Sequence, residues 1–190
     1  MGYQSAQCVS GVGYLPMPQP SINVQFYLMQ IAHVIEKIGY MPLNQDGFVI
    51  YVEKSPAAIS VAESEQIPKE ISYKMISYNH HSMRGNLQEK KNTILKLAEL
   101  LEAKRTELAK VDSRFCSDIF YLFNNLNIRH NNVDPSINGK FKQAVADMPP
   151  EELEHWYDET YQMCLLAFLR LEQADRKIEF DKLKSIIESN

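Results

Sequence analysis

The stretch PPEELEHWYDETYQMCLLAFLRLEQ, residues 149–173, predicts the longest helix of the chain. Two prolines and two glutamates open it, and both residue types favour a helix start. Proline lacks the N–H that would go unbonded there, and acids oppose the positive end of the helix dipole. We expect a helix over residues 150–187, with an apolar stripe at helical spacing that is buried in a core; the stripe is Leu153, Tyr157, Tyr161, Cys164, Phe168 and Leu171.

Three further helical patterns precede this stretch. Apolar residues at helical spacing predict a helix over 67–81 opened by Pro68, a long helix over roughly 84–110, and a third that begins at Asp112 or Ser113. Residues 131–148 are expected to form a loop with one short turn. Because short connections favour antiparallel neighbours, the last 120 residues predict an up-and-down helical bundle, and the fold class is mainly α.

The N-terminal third predicts a small extension with one or two short β-strands. Residues 1–20 show no period and are expected to form a loop or arm, whereas residues 21–39 predict a buried amphipathic helix with a Ser21 cap. A turn-rich connector follows over 41–47, and the β-branched and aromatic run 47–53 predicts a strand. Its partner is either residues 9–15 or a second copy of the chain. The domain division is then 1–60 for arm, helix and strand, and 61–190 for the bundle.

Composition excludes several classes of protein. The chain has 190 residues, of which 45% are hydrophobic and 23% charged, which is typical of a globular domain large enough to bury a core. No apolar run approaches the roughly 18 residues that span a bilayer, and the first 20 residues lack the pattern of a secretory signal. The cysteines Cys8, Cys116 and Cys164 are widely spaced and odd in number. We therefore expect a cytoplasmic protein with reduced thiols and no membrane association.

Formal charge is unevenly distributed along the chain. Residues 1–83 carry a net charge of −2, residues 84–142 of +4 and residues 143–190 of −6. The basic middle and the acidic end could attract each other within one chain or between two copies. The basic middle could also face phosphate, and a third explanation is that these are simply solvated helix faces.

The polar run FNNLNIRHNNVDP, residues 123–135, is unusual at the end of an apolar helix. Arg129 carries a permanent charge that matches phosphate bidentately, and His130 titrates near neutrality. Asn127 and Asn131 lie one turn apart, and Asn124 lies one turn before Asn127. This set suits a ribose 2′-OH attack on a phosphodiester, with Arg129 and His130 as catalytic residues and the three asparagines as substrate-binding residues. The alternative is an elaborate helix C-cap that bonds a neighbouring loop.

The run RGNLQEKK at 84–91, followed by a helix that ends in NNLNIRHNN at 124–132, resembles the HEPN group of helical domains. The resemblance covers roughly residues 67–190. It implies a protein of bacterial defence, abortive-infection or toxin–antitoxin systems, acting on RNA as a metal-independent endoribonuclease and as a homodimer. The family's arginine precedes its histidine by several residues; that position falls near Asn124 or Asn125 here, and Arg129 stands next to His130. The chain is then an active variant, an inactive RNA-binding relative or only a similar bundle.

The other hypothesis is a non-enzymatic helical module for dimerisation or interaction, in which the segment 129–132 caps a helix and fixes a loop. Residues 1–60 could then bind a protein partner. We expect no cofactor, because the chain has no phosphate-binding glycine loop, no dinucleotide fingerprint and no Cys-x-x-Cys pair. We also expect no metal, because Glu152 and His155 form the single Glu-x-x-His pair, whereas bundle metal sites use two.

Overall fold

The structure is a computed structural model that describes residues 23–45, 47–65, 67–137 and 139–189. These ranges contain eight α-helices, one 3-10 turn (His81–Met83) and a two-stranded antiparallel sheet, which confirms the mainly helical fold with a short β extension. The helices are α1 (Val24–Lys37), α2 (Pro56–Ala62), α3 (Lys69–Ser77), α4 (Leu87–Ala103), α5 (Arg105–Val111), α6 (Ser113–Asn125), α7 (Gln143–Ala146) and α8 (Pro150–Glu188); the strands are β1 (Tyr40–Gln45) and β2 (Phe48–Glu53).

Helix α8 is the element around which the core assembles. It packs along α4 and also contacts α2, α5 and α6. The predicted stripe is confirmed: Leu153 is half-buried, and the other five apolar positions of the stripe, from Tyr157 to Leu171, are buried. The ring of Tyr161 stacks on Tyr78 with centroids 3.9 Å apart, and its hydroxyl donates a hydrogen bond to the Met75 carbonyl at 2.7 Å. A single helix face therefore carries both the apolar packing and the bonds that anchor the helix.

The helix predicted over 84–110 is two helices, α4 and α5. They are separated at Lys104, whose backbone leaves the helical conformation at φ −105 and ψ 8. The break redirects the chain so that α5 packs against both α6 and α8. Leu101 and Leu108, one on each side of the break, are both fully buried. Apolar spacing alone continues through such a break, which is why the sequence predicts one helix there.

Asp112, which is one of the two predicted caps, fixes the start of α6. Its Oδ1 accepts a hydrogen bond from the Phe115 N–H at 2.9 Å, and its Oδ2 pairs with Arg170 of α8 at 2.6 Å. The Phe115 N–H and then the Arg170 guanidinium hold the pKa of Asp112 below its usual range. The same carboxylate therefore caps α6 and ties it to α8.

The strand prediction was half right. β2 occupies the predicted position, but its partner is β1, in the segment interpreted as a connector, with Tyr40 opposite Glu53 and Gln45 opposite Phe48. Residues 9–15 lie outside the described residues. Gly47 has φ +86, a conformation that glycine adopts without strain, and the sequence Asp46-Gly47 between two apolar runs is a strong hairpin signal. The connector interpretation was wrong because β1 is defined by its pairing with β2, which the residue types of segment 41–47 do not reveal.

Helix α1 lies where it was predicted but is not buried. Its cap is Asn23, whose Oδ1 accepts a hydrogen bond from the Phe26 N–H at 3.0 Å; the predicted cap Ser21 lies outside the described residues. No residue of α1 is buried, so the predicted burial was wrong. Helical spacing shows that a helix has an apolar face, and it does not show that the same chain covers that face.

Two other local predictions need correction. The helix predicted over 67–81 ends at Ser77, and the 3-10 turn follows it. Helix α2 was not predicted at all, although Ser55 caps it by accepting a hydrogen bond from the Ala58 N–H at 3.3 Å and Pro56 opens it. Helix α2 packs against α3 and α8, next to the domain boundary that we place near residue 60. That boundary stays a prediction.

We predict that Tyr161→Phe lowers the free energy of unfolding by about 1 kcal/mol or more, because the buried Met75 carbonyl loses its hydroxyl donor. Chemical denaturation at one fixed protein concentration measures the change. The matched control is Tyr121→Phe, since Tyr121 is 65% exposed and the same substitution there should change stability by less than about 0.5 kcal/mol. Equal effects at the two positions would contradict an anchoring role for the Tyr161 hydroxyl.

Candidate functional site

The polar segment predicted as the site leaves α6 through a left-handed residue. Asn127 has φ +54, a conformation that asparagine tolerates better than most residues, and it turns the chain sharply after Leu126. The Arg129 N–H then donates a hydrogen bond to the Phe123 carbonyl at 3.0 Å, near the end of α6. The asparagine-rich sequence is therefore used, at its start, to end a helix.

Asn132 is the centre of the segment. It is fully buried, and its Oδ1 accepts a hydrogen bond from the Asn127 N–H at 2.8 Å. Its Nδ2 donates to the carbonyls of Asn124 at 3.2 Å and Lys140 at 2.7 Å. Its own carbonyl accepts a hydrogen bond from the Lys142 N–H at 2.7 Å. One buried amide therefore connects the end of α6 to the loop that returns toward α8, a role that the sequence analysis did not assign.

Arg129, predicted as catalytic, lies against the core. Its Nη2 donates a hydrogen bond to the Ala98 carbonyl of α4 at 2.8 Å, and its Nη1 forms an ion pair with Glu102. The guanidinium carbon lies 5.2 Å from the ring centroids of both Phe120 and Phe123. With its side chain only 18% exposed, the guanidinium is occupied by a carbonyl, a carboxylate and two aromatic faces.

His130, the other predicted catalytic residue, is half-buried beside this cluster. Burial, followed by the charges of Lys140 and Arg129, lowers the pKa of His130 below its usual value. An imidazole with a lowered pKa is neutral at pH 7 and can accept a proton.

The three predicted substrate-binding asparagines take different positions. Asn131 is exposed and Asn124 half-buried, and the backbone carbonyl of Asn124 is already bonded to Asn132. The side chain of Asn127 points inward, where its Oδ1 accepts hydrogen bonds from the Asn132 N–H and the Lys91 ammonium, both at 3.3 Å. Burial lowers the pKa of Lys91. Four of the five predicted site residues thus share the loop after α6, and Asn124 lies in the last turn of α6 itself. Arg129 and Asn127 direct their polar atoms into the protein.

A second polar cluster was missed by the sequence analysis. Lys90 of α4 is almost fully buried, and its ammonium pairs with Glu154 at 2.7 Å and Asp158 at 2.6 Å, both on α8. The Tyr78 hydroxyl donates to Asp158 at 2.8 Å. The Lys90 ammonium and then the Gly85 N–H hold the pKa of Glu154 below its usual range. A Glu-Lys-Lys run on a helix is typical of a solvated face, so only the packing of α4 on α8 identifies this ion-pair cluster.

Two clefts flank this cluster. A cavity of about 220 Å³ is lined by Tyr40, His80, Arg84, Lys90 and Asp158, and a larger one of about 760 Å³ lies between the hairpin and helices α3 and α4. Within the described ranges, no group of three or more His, Cys, Asp or Glu side chains is placed to hold a metal ion. The small cavity mixes cations with carboxylates and has no dominant sign of charge, so it indicates no particular ligand.

Among the residues that the structure describes, the apolar face of α1 has no internal partner that buries it. Seven of its eight large apolar residues are 37–67% exposed, and Ile35 is half-buried; the seven are Val24, Phe26, Tyr27, Leu28, Met29, Ile31 and Val34. Val24, Tyr27, Ile31, Val34 and Ile38 follow one another at alternating spacings of three and four, as along the seam of a paired helix. Monomeric proteins rarely leave so large an apolar patch in water.

Comparison with family models, with curated proteins and with solved structures finds no match for this chain. Among the helices of the described ranges, none has the length and hydropathy together that would let it cross a membrane. The geometry of the described residues is therefore the basis for any functional conclusion.

We predict that Asn132→Ala lowers the free energy of unfolding by at least about 2 kcal/mol, because several buried backbone groups lose their partner at once. The neighbouring Asn131→Ala is the matched control and should change stability by less than about 0.5 kcal/mol, since Asn131 is exposed. Thermal and denaturant unfolding of both variants measure the difference. If Asn132→Ala is as stable as Asn131→Ala, the structural role of the amide fails.

Proposed function

We propose that this protein is a non-enzymatic helical module that acts through protein–protein contacts and pairs with a second copy through α1. The observation that carries the proposal is the apolar face of α1, which no other part of the described chain buries. The role of Arg129 supports the non-enzymatic part, because its guanidinium is already bound by Ala98 and Glu102.

The length of α1 supports the need for a partner. Helices shorter than about 12–15 residues are marginal alone in water, and most helical stability in proteins comes from packing of an apolar face. Helix α1 has 14 residues, and within the described residues its principal contact is with β1. Burial of its face by another protein surface would supply the missing packing.

The charge pattern of α1 favours a second copy as that partner. Its sequence, VQFYLMQIAHVIEK, has one acid and one base, Glu36 and Lys37, which stand side by side at its end. Two such helices can approach without a row of like charges. The β-branched residues Val24 and Ile31 recur along the seam at a spacing of seven, as at one core position of paired helices.

We predict that Ile31→Lys halves the mass of the assembly, because a charge at the centre of the seam cannot be buried without a partner. Gln25→Lys is the matched control: it adds the same charge to the same helix, away from the seam, and should leave the mass unchanged. Sedimentation equilibrium measures the masses, and circular dichroism checks that the bundle remains folded. A wild-type protein with the 21.9 kDa mass of one chain, or equal masses for the two variants, would refute pairing through α1.

A second candidate function is the HEPN-like ribonuclease or RNA-binding protein of a bacterial defence or toxin system, acting in the cytoplasm. The observation in its favour is His130, whose lowered pKa leaves a neutral imidazole near the positive charge of Lys140. The imidazole would accept the proton of a ribose 2′-OH, and Lys140 would attract the phosphate. Arg129 would have to leave Glu102 and Ala98 to take part.

The non-enzymatic module predicts that the purified protein, with EDTA present, leaves total RNA and a tRNA pool intact. The His130→Ala variant should leave them intact as well. Gel electrophoresis of the RNA and analysis of the cleaved ends check the result. Cleavage by the wild type alone, leaving 2′,3′-cyclic phosphate ends, would instead establish the ribonuclease. Retention of RNA on a filter without cleavage would indicate an RNA-binding protein.

A further inference from the structure

The distal segment of α8, residues 173–188, extends past the core. The last buried residue of the helix is Leu171, and every position from 175 to 188 is exposed. Apolar side chains nevertheless continue along it; Ile178, Phe180, Leu183, Ile186 and Ile187 are 53–65% exposed. A helix end that serves only as a solvated tail has no reason to keep five large apolar residues.

Three of these residues form a seam. Phe180, Leu183 and Ile187 follow one another at spacings of three and four, which places them at positions a, d and a of a heptad. Beside the seam, between the end of α5 and α8, lies a groove of about 550 Å³ whose lining includes Val111, Ala174 and Phe180. Val111 is itself 43% exposed, so the apolar surface of the distal segment continues onto α5.

The charges beside the seam indicate which protein surface pairs with it. In this heptad Glu172 and Glu179 occupy g positions, and Lys177 and Lys184 occupy the e positions that follow them by five residues. In a parallel pair of identical helices, each g residue faces the e residue five positions later in the other chain. The contact from Glu179 to Lys184 would therefore join Glu to Lys, and a second copy of this same segment is complementary to it there. Glu172 is only 20% exposed and pairs with Arg176 of its own helix at 3.1 Å.

The same charges disfavour an antiparallel pair. In that arrangement e positions face e positions, so that Lys177 of one chain would approach Lys184 of the other. Like charges at this distance oppose pairing, whereas the parallel arrangement separates them. The orientation therefore follows from the order of Glu and Lys along the sequence.

We infer that the distal segments of two copies pair as a short, parallel, in-register coiled coil. This inference goes beyond the proposed function, since it rests on α8 alone. The hairpin next to α1 approaches α8 near Asp158, about 38 Å along the helix from Leu183 at 1.5 Å per residue. The two surfaces are thus separate, and an assembly in which each pairs about its own two-fold axis contains four chains.

The first test of the coiled coil is the mass of Leu183→Glu beside Ser185→Glu, which adds the same charge at the outward f position. We expect Leu183→Glu to halve the mass and Ser185→Glu to leave it unchanged. The combination of Leu183→Glu with Ile31→Lys should give the 21.9 kDa single chain. If Leu183→Glu alone leaves the mass unchanged, pairing through α8 is overturned and the role of α1 is judged separately.

The same measurement separates the two proposals from each other. If Ile31→Lys has no effect and Leu183→Glu gives a single chain, pairing through α8 stands and the proposed role of α1 fails. If each substitution alone gives a single chain, both surfaces belong to one dimer, and the disulfide test described next decides between pairing of α8 with α8 and docking of α1 on α8, which would overturn the coiled coil.

Orientation is tested by cross-linking and by charge reversal. In a Cys8→Ser background, Leu183→Cys should form a disulfide between chains on mild oxidation, whereas Ser185→Cys should not. Glu179→Lys should halve the mass, and adding Lys184→Glu should restore it. Positions 179 and 184 are five apart and are not neighbours within one helix, so restoration would have to come from the contact between chains. Absence of both the disulfide and the restoration overturns the parallel arrangement.

Discussion

The structure depends on burial of one face of α8 against α4. Tyr157, Tyr161, Cys164 and Phe168 are all buried along this face, and the stacked ring of Tyr78 covers Tyr161. Among the described residues, the ion pairs that join α8 to other helices lie at the two ends of this face, where Lys90 meets Glu154 and Asp158, and where Arg170 meets Asp112. This separation lets the interior stay apolar while the end contacts select one axial position for α8. The shorter helices then pack where the long pair leaves apolar surface open.

The polar segment after α6 shows how residues that suit catalysis can instead complete a core. A buried amide must satisfy its donors and acceptor, and Asn132 does so with backbone groups of Asn124, Asn127 and Lys140. The Arg129 guanidinium closes the same region by joining Glu102 and the Ala98 carbonyl while covering two phenylalanine rings. An arginine held in this way offers little to a phosphate. His130 alone keeps the exposure and the protonation state that proton transfer needs.

The sequence-based predictions were correct where the signal lies in neighbouring residues. They were incomplete where the structure depends on contacts between segments that are distant in sequence. Helix α8 and the Asp112 cap were predicted because their signals are local: an apolar period, a proline start and a carboxylate next to free N–H groups. Strand β1 was missed because pairing depends on a neighbouring segment, although Asp46-Gly47 marked the turn. The Lys90 cluster was missed because only the packing of two distant helices removes that lysine from water. Four of the five predicted site residues share the loop after α6, but the direction of the Arg129 side chain depends on Ala98 and Glu102, far away in sequence.

The burial of α1 could not be predicted for a related reason, and that failure is informative. A helical period of apolar residues shows that a helix has a face whose burial is favourable. It does not show which protein surface covers that face. For α8 that surface is α4 of the same chain, whereas α1 and the distal segment of α8 have no comparable cover within the described residues. In the assembly proposed above, such faces would gain stability by association, and the order of these two helices would then be coupled to protein concentration. On that proposal the same hydrophobic pattern specifies the monomer core in one part of the chain and assembly in another.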